Sequence, residues 1–196
     1  MSIGMPYSEP WEQCGRLHVS ALRPCYGVAC VVGKGVSIVD YAKVEADVFL
    51  TVNDACYAVK RQHFAVRGDG NIPDARFMDW LPHYSIPMMP ERLKDYYGYG
   101  YWFDWTDIGL VDICLTTLMA IRLAHHVFKA ERIVCVGLDS FYQRDSHYHR
   151  GFLNSRNVFL NGNSLGHHVR AKSLGGEILS KCSHYGWDGD FLRGID

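Results

Sequence analysis

Four short apolar runs constrain the fold of this chain more than any other feature of its sequence. They are rich in Val, largely continuous rather than alternating, and cover residues 26–32, 47–52, 63–66 and 132–136. A strand with one face in water alternates apolar and polar residues, whereas a continuous apolar run indicates a strand that is covered on both faces. Segments with helical patterns separate these runs, which predicts a mostly parallel sheet with helices on both faces.

Weaker patterns supply the remaining predicted elements. They are a turn at 33–37, a short helix to about residue 44, helices at 54–60 and 74–81, and a strand at 86–89. The aromatic stretch 96–105 contains two glycines and is predicted to be a loop or an irregular edge strand. Apolar residues on nearly every side predict a buried helix over residues 110–128, and an amphipathic helix is predicted over residues 169–185.

The chain is expected to fold as one α/β domain covering residues 1–196. A length of 196 residues suits a single domain, and 48% hydrophobic against 21% charged residues is the composition of a chain that buries a core. Residues 1–24 contain three prolines and are expected to form an irregular lead-in. Residues 140–168 are polar and are expected to form a loop at the active site.

Charge and hydropathy argue against several classes of protein. The 20 Lys and Arg balance 21 Asp and Glu, so nucleic-acid binding through the phosphates is not indicated. No apolar run reaches the ~18 residues of a membrane-spanning helix, and the first residues lack the pattern of a signal peptide. Seven cysteines without a C-x-x-C pair indicate reduced thiols. We therefore expect a cytoplasmic protein.

Glycines follow the first predicted strand. Gly33 and Gly35 precede Ser37, which stands near the start of a predicted helix. Ligands bind at the carboxyl ends of strands in open parallel sheets, where glycines and helix N–H groups can approach a phosphate. The pattern predicts a nucleotide site in which a side chain at Gly35 would block the ligand and leave the fold intact. The alternative is a tight turn without a ligand, and Ser37 can cap the helix in either case.

The glycine pattern is not that of a dinucleotide site. Ile38 occupies the position of the third glycine in the dinucleotide-binding fingerprint. NAD is therefore disfavoured as the ligand, and the expected ligand is a nucleotide or a nucleotide-activated sugar.

Polar residues follow two further strands. Asn53 and Asp54 follow the second strand, about 20 residues after the glycines, where such folds hold a ribose or a base. The Asn53 side chain offers both a donor and an acceptor, which suits the edge of a nucleobase. Asp139 follows the apolar run at 132–136 and is placed to hold ribose hydroxyls. The alternatives are a helix cap for Asn53 and an ordinary turn residue for Asp139.

Two groups of histidines are candidates for chemistry. His167 precedes the last predicted helix on the ligand side of the sheet, where it would act as a general base. A surface histidine or a helix cap is the alternative. His147 and His149 lie near Asp145 at alternating positions, but no second group of ligands accompanies them. No metal site is therefore predicted.

Taken in order, these segments resemble the bacterial sialyltransferases of glycosyltransferase family 42. That family has an apolar strand, Gly-x-Gly-x-Ser, a short helix with an Asp-Tyr pair and a strand ending in Asn, as in residues 31–53 here. Its buried helix, strand and Gly-x-Asp element correspond to residues 115–142, and its Gly-His pair corresponds to residues 166–167. The resemblance covers about half of the chain. A pterin diphosphokinase-like group shares the glycine and Gly-x-Asp elements.

The resemblance implies a Rossmann-like three-layer fold and a CMP-linked donor of the sialic-acid type. The nucleotide-binding residues that it implies are Gly33, Gly35, Ser37, Asn53 and Asp139. It implies that His167 removes the proton of the acceptor hydroxyl and that Tyr142 and Tyr148 stabilise the leaving phosphate, as the amides of the glycine turn would also do. The reaction would invert the anomeric centre without an obligatory metal or cofactor.

Two other functions stay open at this point. A phosphotransferase of the diphosphokinase-like group would need Mg²⁺, held by carboxylates such as Asp139 and Asp145. A nucleotide-binding module without catalysis, such as a sensor or a sequestering protein, is the third hypothesis. The acceptor is unknown and is a glycan, a lipid, a metabolite or a nucleic-acid base. The many aromatic residues suggest contacts between subunits and hence a homo-oligomer.

Overall fold

The computed structural model describes residues 15–68, 81–95, 98–110, 115–139 and 172–187. Eight strands in these segments form one open sheet in which all neighbouring strands are parallel. The strands are β1 Arg16–His18, β2 Val28–Val32, β3 Val48–Val52, β4 His63–Val66, β5 Ser85–Pro90, β6 Gly100–Phe103, β7 Arg132–Val136 and β8 Cys182–His184. The helices are α1 Thr116–His126, α2 Gly175–Lys181, and the 3-10 helices Val36–Lys43 after β2 and Asn53–Tyr57 after β3, with shorter 3-10 helices at Val19–Ala21, Glu91–Leu93, Trp105–Ile108 and Lys172–Leu174.

The order of the strands identifies the position in the sheet where a ligand is expected to bind. Across the sheet the order is β1-β6-β5-β4-β3-β2-β7-β8. From β2 the chain proceeds strand by strand towards β6, and β7 then pairs with the other side of β2. In open α/β sheets, ligands bind at the carboxyl ends of the strands where the order reverses. Here that position lies between β2 and β7.

Both faces of the sheet are covered, as the continuous apolar runs predict. On one face, α1 and α2 contribute side chains such as Leu118 and Ile178 to the larger core cluster. On the other face, the 3-10 helix after β2 contributes Ile38 to a second cluster, which also contains Ala55 from the 3-10 helix after β3. The α/β three-layer fold is therefore confirmed, with tight 3-10 helices covering the second face.

The four apolar runs are strands, with small differences at their ends. β4 and β7 have the predicted bounds, whereas β2 and β3 begin two residues and one residue later than predicted. Tyr26 has a φ of 52°, which interrupts the extended chain before β2. The predicted strand at 86–89 is also present, as β5.

Two predictions about the far edge of the sheet are wrong. The lead-in predicted at 1–24 is not irregular throughout, because Arg16–His18 forms β1 and Val19–Ala21 forms a 3-10 helix. The aromatic stretch 96–105 contains β6, which lies between β5 and β1 and is not an edge strand. Both errors have one cause: β1 is short and is held by pairing with β6, a contact that no local pattern shows.

The predicted helices are longer than the observed ones. The α-helix expected over 110–128 is observed as α1, Thr116–His126. Gly109, with a φ of 66°, ends the 3-10 helix that precedes it. The helix expected over 169–185 is reduced to α2, and the chain then pairs with β7 as β8. Residues 74–80 of the helix predicted at 74–81 lie outside the described residues. No helix in the described segments is long and apolar enough to cross a membrane.

Cys25, Cys30, Cys56 and Cys135 are free thiols, as predicted. Burial raises the pKa of Cys30 to about 12 and that of Cys56 to about 11. Both side chains are therefore thiols rather than reactive thiolates at neutral pH.

Candidate functional site

The turns that follow β2 and β7 are in direct contact at the carboxyl edge of the sheet. The Gly33 N–H donates a hydrogen bond to Val136 O at 2.7 Å, and the Gly35 N–H donates to Gly137 O at 2.7 Å. These bonds continue the pairing of β2 with β7 beyond the two strands. Two predicted motifs that are far apart in the sequence therefore form one local structure, at the position where the strand order reverses.

Ser37 and Asp139 join these turns through their side chains. The Ser37 hydroxyl donates to Asp139 Oδ2 at 2.8 Å, and the Ser37 N–H donates to the same oxygen at 3.1 Å. The Gly137 N–H in turn donates to Ser37 Oγ at 2.9 Å. Asp139 is only 2% exposed, so Ser37 supplies hydrogen bonds to a buried carboxylate. We call Gly33, Gly35, Ser37, Gly137 and Asp139 the β2–β7 junction.

Ser37 does not cap the helix that follows the glycine turn. The N-cap position belongs to Gly35, which makes no side-chain cap hydrogen bond. The Ser37 hydroxyl is used across the junction instead.

The two glycines after β2 are required by the contact between the turns. A Cβ atom on Gly35 would lie 2.1 Å from Asp139 Oδ2 and 2.7 Å from Gly137 O. A Cβ atom on Gly33 would lie 2.4 Å from Gly137 O. These distances are too short for any side chain, so the packing of the turns accounts for both glycines. This differs from the expectation that a side chain at Gly35 would leave the fold intact.

Backbone donors expected to bind a phosphate are engaged within the protein. The N–H groups of Gly33, Gly35 and Ser37 all donate to β7 or to the turn after it. A phosphate bound by a glycine turn needs such groups to point at the ligand. The expectation that these three amides stabilise a phosphate therefore disagrees with the structure.

β8 brings His184 to the junction. Its Nε2 accepts a hydrogen bond from the Leu138 N–H at 3.3 Å, so Nδ1 carries the proton and donates to Tyr185 O at 3.0 Å. Burial is the main cause that lowers the pKa of His184, and the Asp139 carboxylate opposes it. The sequence prediction missed this residue, because it placed the segment in a helix and a three-residue strand carries no periodic signal.

Asn53 and Asp54 lie at the end of β3, beside the junction. Asn53 has a φ of 51°, in the left-handed region that Asn tolerates better than most residues. The 3-10 helix that begins there has Val52 at its N-cap, without a side-chain cap bond, so the alternative of an Asn cap is not observed. Asp54 is 8% exposed and belongs to a group of charged side chains.

Two cations face Asp54, and a third reaches the residues that follow β4. Arg67 directly follows β4 and is 2% exposed; its Nη1 lies 3.4 Å from Asp54 Oδ1. Lys34 follows β2, and its Nζ lies 4.0 Å from Asp54 Oδ2. Arg92 follows β5 and donates to Gly68 O at 2.8 Å. We call Lys34, Asp54, Arg67 and Arg92 the basic cluster. The sequence prediction missed its cations because they come from three separate segments with no shared motif.

The predicted catalytic residues His167, Tyr142 and Tyr148 lie outside the described residues, as does the loop predicted at 140–168. Their roles stay predictions. In the segments that the structure describes, no group of three or more His, Cys, Asp or Glu side chains is arranged to hold a metal ion.

Comparison of this chain with protein-family models, curated proteins and solved structures found no match. Its function is therefore inferred from the geometry of the site and from the motif resemblance. The structure brings Gly33, Gly35, Ser37 and Asp139 together, and it places Asn53 and Asp54 one strand away.

Proposed function

We propose that this protein is a glycosyltransferase that binds a nucleotide-activated sugar at the carboxyl edge of its sheet. The observation that carries the proposal is the contact between Ser37 and Asp139, with 2.8 Å between Oγ and Oδ2. It brings the Gly-x-Gly-x-Ser and Gly-x-Asp motifs together where the strand order reverses, which is the usual ligand position in such sheets. The resemblance to sialyltransferases favours a CMP-linked donor of the sialic-acid type.

The proposed reaction transfers the sugar with inversion of the anomeric centre. His167 takes the proton from an acceptor hydroxyl, and the acceptor oxygen forms a bond to the anomeric carbon. The bond from that carbon to the phosphate oxygen breaks, and the nucleotide leaves with the electron pair. Tyr142 and Tyr148 donate hydrogen bonds to the phosphate as its negative charge develops. The roles of these three residues rest on the motif resemblance.

The described residues have different parts in this proposal. Ser37 and Asp139 are positioning residues, because their hydrogen bonds to each other hold the turn from which the chain leads towards Tyr142. Asn53, one strand away, is the described residue that we propose reads the base. On this basis Asn53→Ala weakens nucleotide binding by ~1–3 kcal/mol, and more for one base than for the others.

A thermal-shift panel with CMP, UDP, GDP, ADP and NAD tests the binding step. A ligand at 100 times its Kd adds ~2.7 kcal/mol to the stability of the folded state, which gives a clear shift in Tm. We expect CMP to give the largest shift. If none of the five compounds raises Tm, the proposal is wrong.

Turnover is tested with CMP-sialic acid and a panel of acceptors, with and without EDTA. Release of CMP that persists in EDTA is the expected result. A strict requirement for Mg²⁺ together with phosphoryl transfer would favour the diphosphokinase-like alternative. Binding of CMP without turnover of any donor would favour a non-catalytic nucleotide-binding module.

A further inference from the structure

Ser20, His18 and Asp107 form a chain of hydrogen bonds at the far edge of the sheet. Ser20 Oγ lies 2.9 Å from His18 Nδ1, and His18 Nε2 lies 2.9 Å from Asp107 Oδ2. A hydroxyl, an imidazole and a carboxylate that are joined in this order are the parts of a nucleophilic serine site. We call these three residues the β1–β6 triad. None of them belongs to the β2–β7 junction or to the basic cluster.

Strand pairing brings the members of the β1–β6 triad together. β1 ends at His18, and its parallel pairing with β6 places His18 opposite Trp102. Asp107 lies in the 3-10 helix Trp105–Ile108, which follows β6. The triad is therefore at the carboxyl edge of the sheet, where β3, β4, β5 and β6 separate β1 from β2. Paired strands lie ~4.8 Å apart, so about 20 Å separates the triad from the junction.

A backbone hydrogen bond determines which nitrogen of His18 carries the proton. The Ser20 N–H donates to His18 Nδ1 at 3.2 Å, so Nδ1 is an acceptor and the proton is on Nε2. Nε2 therefore donates to Asp107 Oδ2. The Ser20 hydroxyl, 2.9 Å from Nδ1, then donates to this nitrogen. The neutral imidazole is thus in the tautomer that can remove the proton of the Ser20 hydroxyl.

The carboxylate and the imidazole are both held in place by their neighbours. Asp104 and Asp107 form a capping box, in which the Asp104 N–H donates to Asp107 Oδ2 at 2.7 Å. The rings of Trp102 and His18 pack edge to face, with 4.4 Å between their centroids. A general base needs a fixed tautomer and a fixed orientation, and these contacts supply both.

The serine end of the triad is open to solvent. Ser20 is exposed, whereas the side chains of His18 and Asp107 are 30% and 27% exposed. His18 also caps the short 3-10 helix Val19–Ala21, but that role needs only Nδ1 and the Ser20 N–H. The cap explains neither the hydroxyl bond to Nδ1 nor the carboxylate behind Nε2. Both are what an activated serine requires.

We propose that Ser20 is a nucleophile for carboxylic esters, with His18 as its general base and Asp107 as a positioning residue. Oγ forms a bond to the acyl carbon while Nδ1 takes the hydroxyl proton. The bond from that carbon to the alcohol oxygen breaks, and the alcohol leaves with the proton from Nδ1. Water then attacks the acyl group by the same route, which releases the carboxylic acid and returns the proton to Oγ. This activity does not depend on the glycosyltransferase proposal.

Labelling with a fluorophosphonate is the first experiment, because this reagent bonds to activated serine oxygens and releases fluoride. Mass spectrometry of the peptides locates the label. We expect it on Ser20 in the wild type and nowhere in Ser20→Ala. The matched control is Ser180→Ala, because Ser180 is exposed but donates to Glu177 O at 2.8 Å instead of to a histidine. This control should label like the wild type. The proposal is wrong if wild-type Ser20 is not labelled, or if Ser180 is labelled equally fast.

Removal of the base is the second test. His18→Ala should slow the labelling of Ser20 by ~10²-fold or more. Added imidazole should restore part of the rate in this variant and none in Ser20→Ala. The exposed His83→Gln is the control and should label like the wild type, and Tm reports on the folding of each variant. Labelling of Ser20 that is equally fast without His18 would overturn the proposal.

Asp107→Asn tests the positioning role. The amide of an asparagine can donate to His18 Nε2, which moves the imidazole proton to Nδ1 and leaves the Ser20 hydroxyl without its acceptor. We expect kcat for 4-nitrophenyl acetate to fall about tenfold or more while KM stays unchanged, since Asp107 does not contact the ester. An unchanged kcat in the folded variant would contradict the role of Asp107.

Discussion

The β2–β7 junction and the basic cluster lie side by side at the carboxyl edge, and their polar groups are satisfied in different ways. In the junction, hydrogen bonds of 2.7 to 3.1 Å join Gly35 to Gly137 and Ser37 to Asp139. In the basic cluster, Asp54 lies 3.4 Å and 4.0 Å from its two cations. The junction therefore has the short internal hydrogen bonds of a structural contact, whereas the ion pairs of Asp54 are longer.

Residues of a recognisable motif can therefore serve packing, while residues outside the motif bring charge to the same edge of the sheet. The glycines and Ser37 of the junction form a pattern that is visible in the sequence, yet the structure uses them to pack one turn on another. Lys34 stands between the two glycines and contributes nothing to the pattern. Its side chain nevertheless reaches the neighbouring strand.

The largest expected effect comes from breaking the junction with Gly35→Val. A Cβ atom at this position would lie 2.1 Å from Asp139 Oδ2 and 2.7 Å from Gly137 O, so the turns must separate. We expect a loss of ~3 kcal/mol or more in the free energy of unfolding, or a failure to fold. Urea unfolding measures the loss. The control is Gly98→Ala, because a Cβ atom on Gly98 meets nothing within 4 Å. Native stability of Gly35→Val would show that the junction does not need its glycines.

Acid is expected to destabilise the fold through His63, the first residue of β4, which belongs to neither the junction nor the basic cluster. His63 donates from Nδ1 to Arg61 O and accepts at Nε2 from the Ser85 hydroxyl, and burial lowers its pKa to about 4. An unfolded histidine has a pKa of ~6.5. The contribution of neutral His63 is therefore complete above pH ~6.5 and is lost as the pH falls towards 4, by up to ~3 kcal/mol.

Unfolding free energies of the wild type and His63→Gln at pH 7 and pH 5 measure this contribution. The variant should lose less stability between the two pH values than the wild type does, and the exposed His83→Gln should behave like the wild type. An unchanged pH dependence in His63→Gln would refute the assignment.

Burial also lowers the pKa of His126 to about 4. The stabilities of junction variants and basic-cluster variants are therefore best compared above pH ~6.5, where both histidines are neutral in the folded and the unfolded chain.

A smaller effect is expected when the junction loses one side chain. Ser37→Ala removes the hydroxyl that donates to Asp139, whereas the backbone N–H of residue 37 still donates to the same carboxylate. The substitution also removes the acceptor of the Gly137 N–H. We expect a loss of ~1–3 kcal/mol in unfolding free energy. A double-mutant cycle with Asp139→Asn should give a coupling energy of at least ~0.5 kcal/mol, since the two side chains are in contact. Additive effects would mean that they do not act as a pair.

The sequence predicted the strands well because the information that specifies them is local. Val28–Val32 and Arg132–Val136 are continuous apolar runs, and such runs have few alternatives to a buried strand. β1 and β8 escaped prediction because each has three residues and is held by pairing with a distant strand. The start of α1 was misplaced because apolar residues on nearly every side indicate a buried helix without marking where it begins.

The candidate site was predictable only in part, for a similar reason. Ser37 and Asp139 were each identified from their positions after strands, but their contact depends on the pairing of β2 with β7. The basic cluster depends on where long side chains reach. Arg92 crosses from its own strand to Gly68, and Lys34 crosses to Asp54, and no spacing in the sequence encodes either direction.

The smallest expected effect on stability is that of Lys34→Gln, and it sharpens the comparison most. The Lys34 ammonium lies 4.0 Å from Asp54, and Arg67 stays beside that carboxylate when Lys34 is removed. We expect unfolding free energy to change by less than ~1 kcal/mol. Ser37→Ala should lose more, because it removes a direct hydrogen bond to a buried carboxylate. Urea unfolding of both variants gives the two values needed. If Lys34→Gln instead loses as much stability as Ser37→Ala, the basic cluster is a structural contact like the junction, and the difference between the two regions disappears.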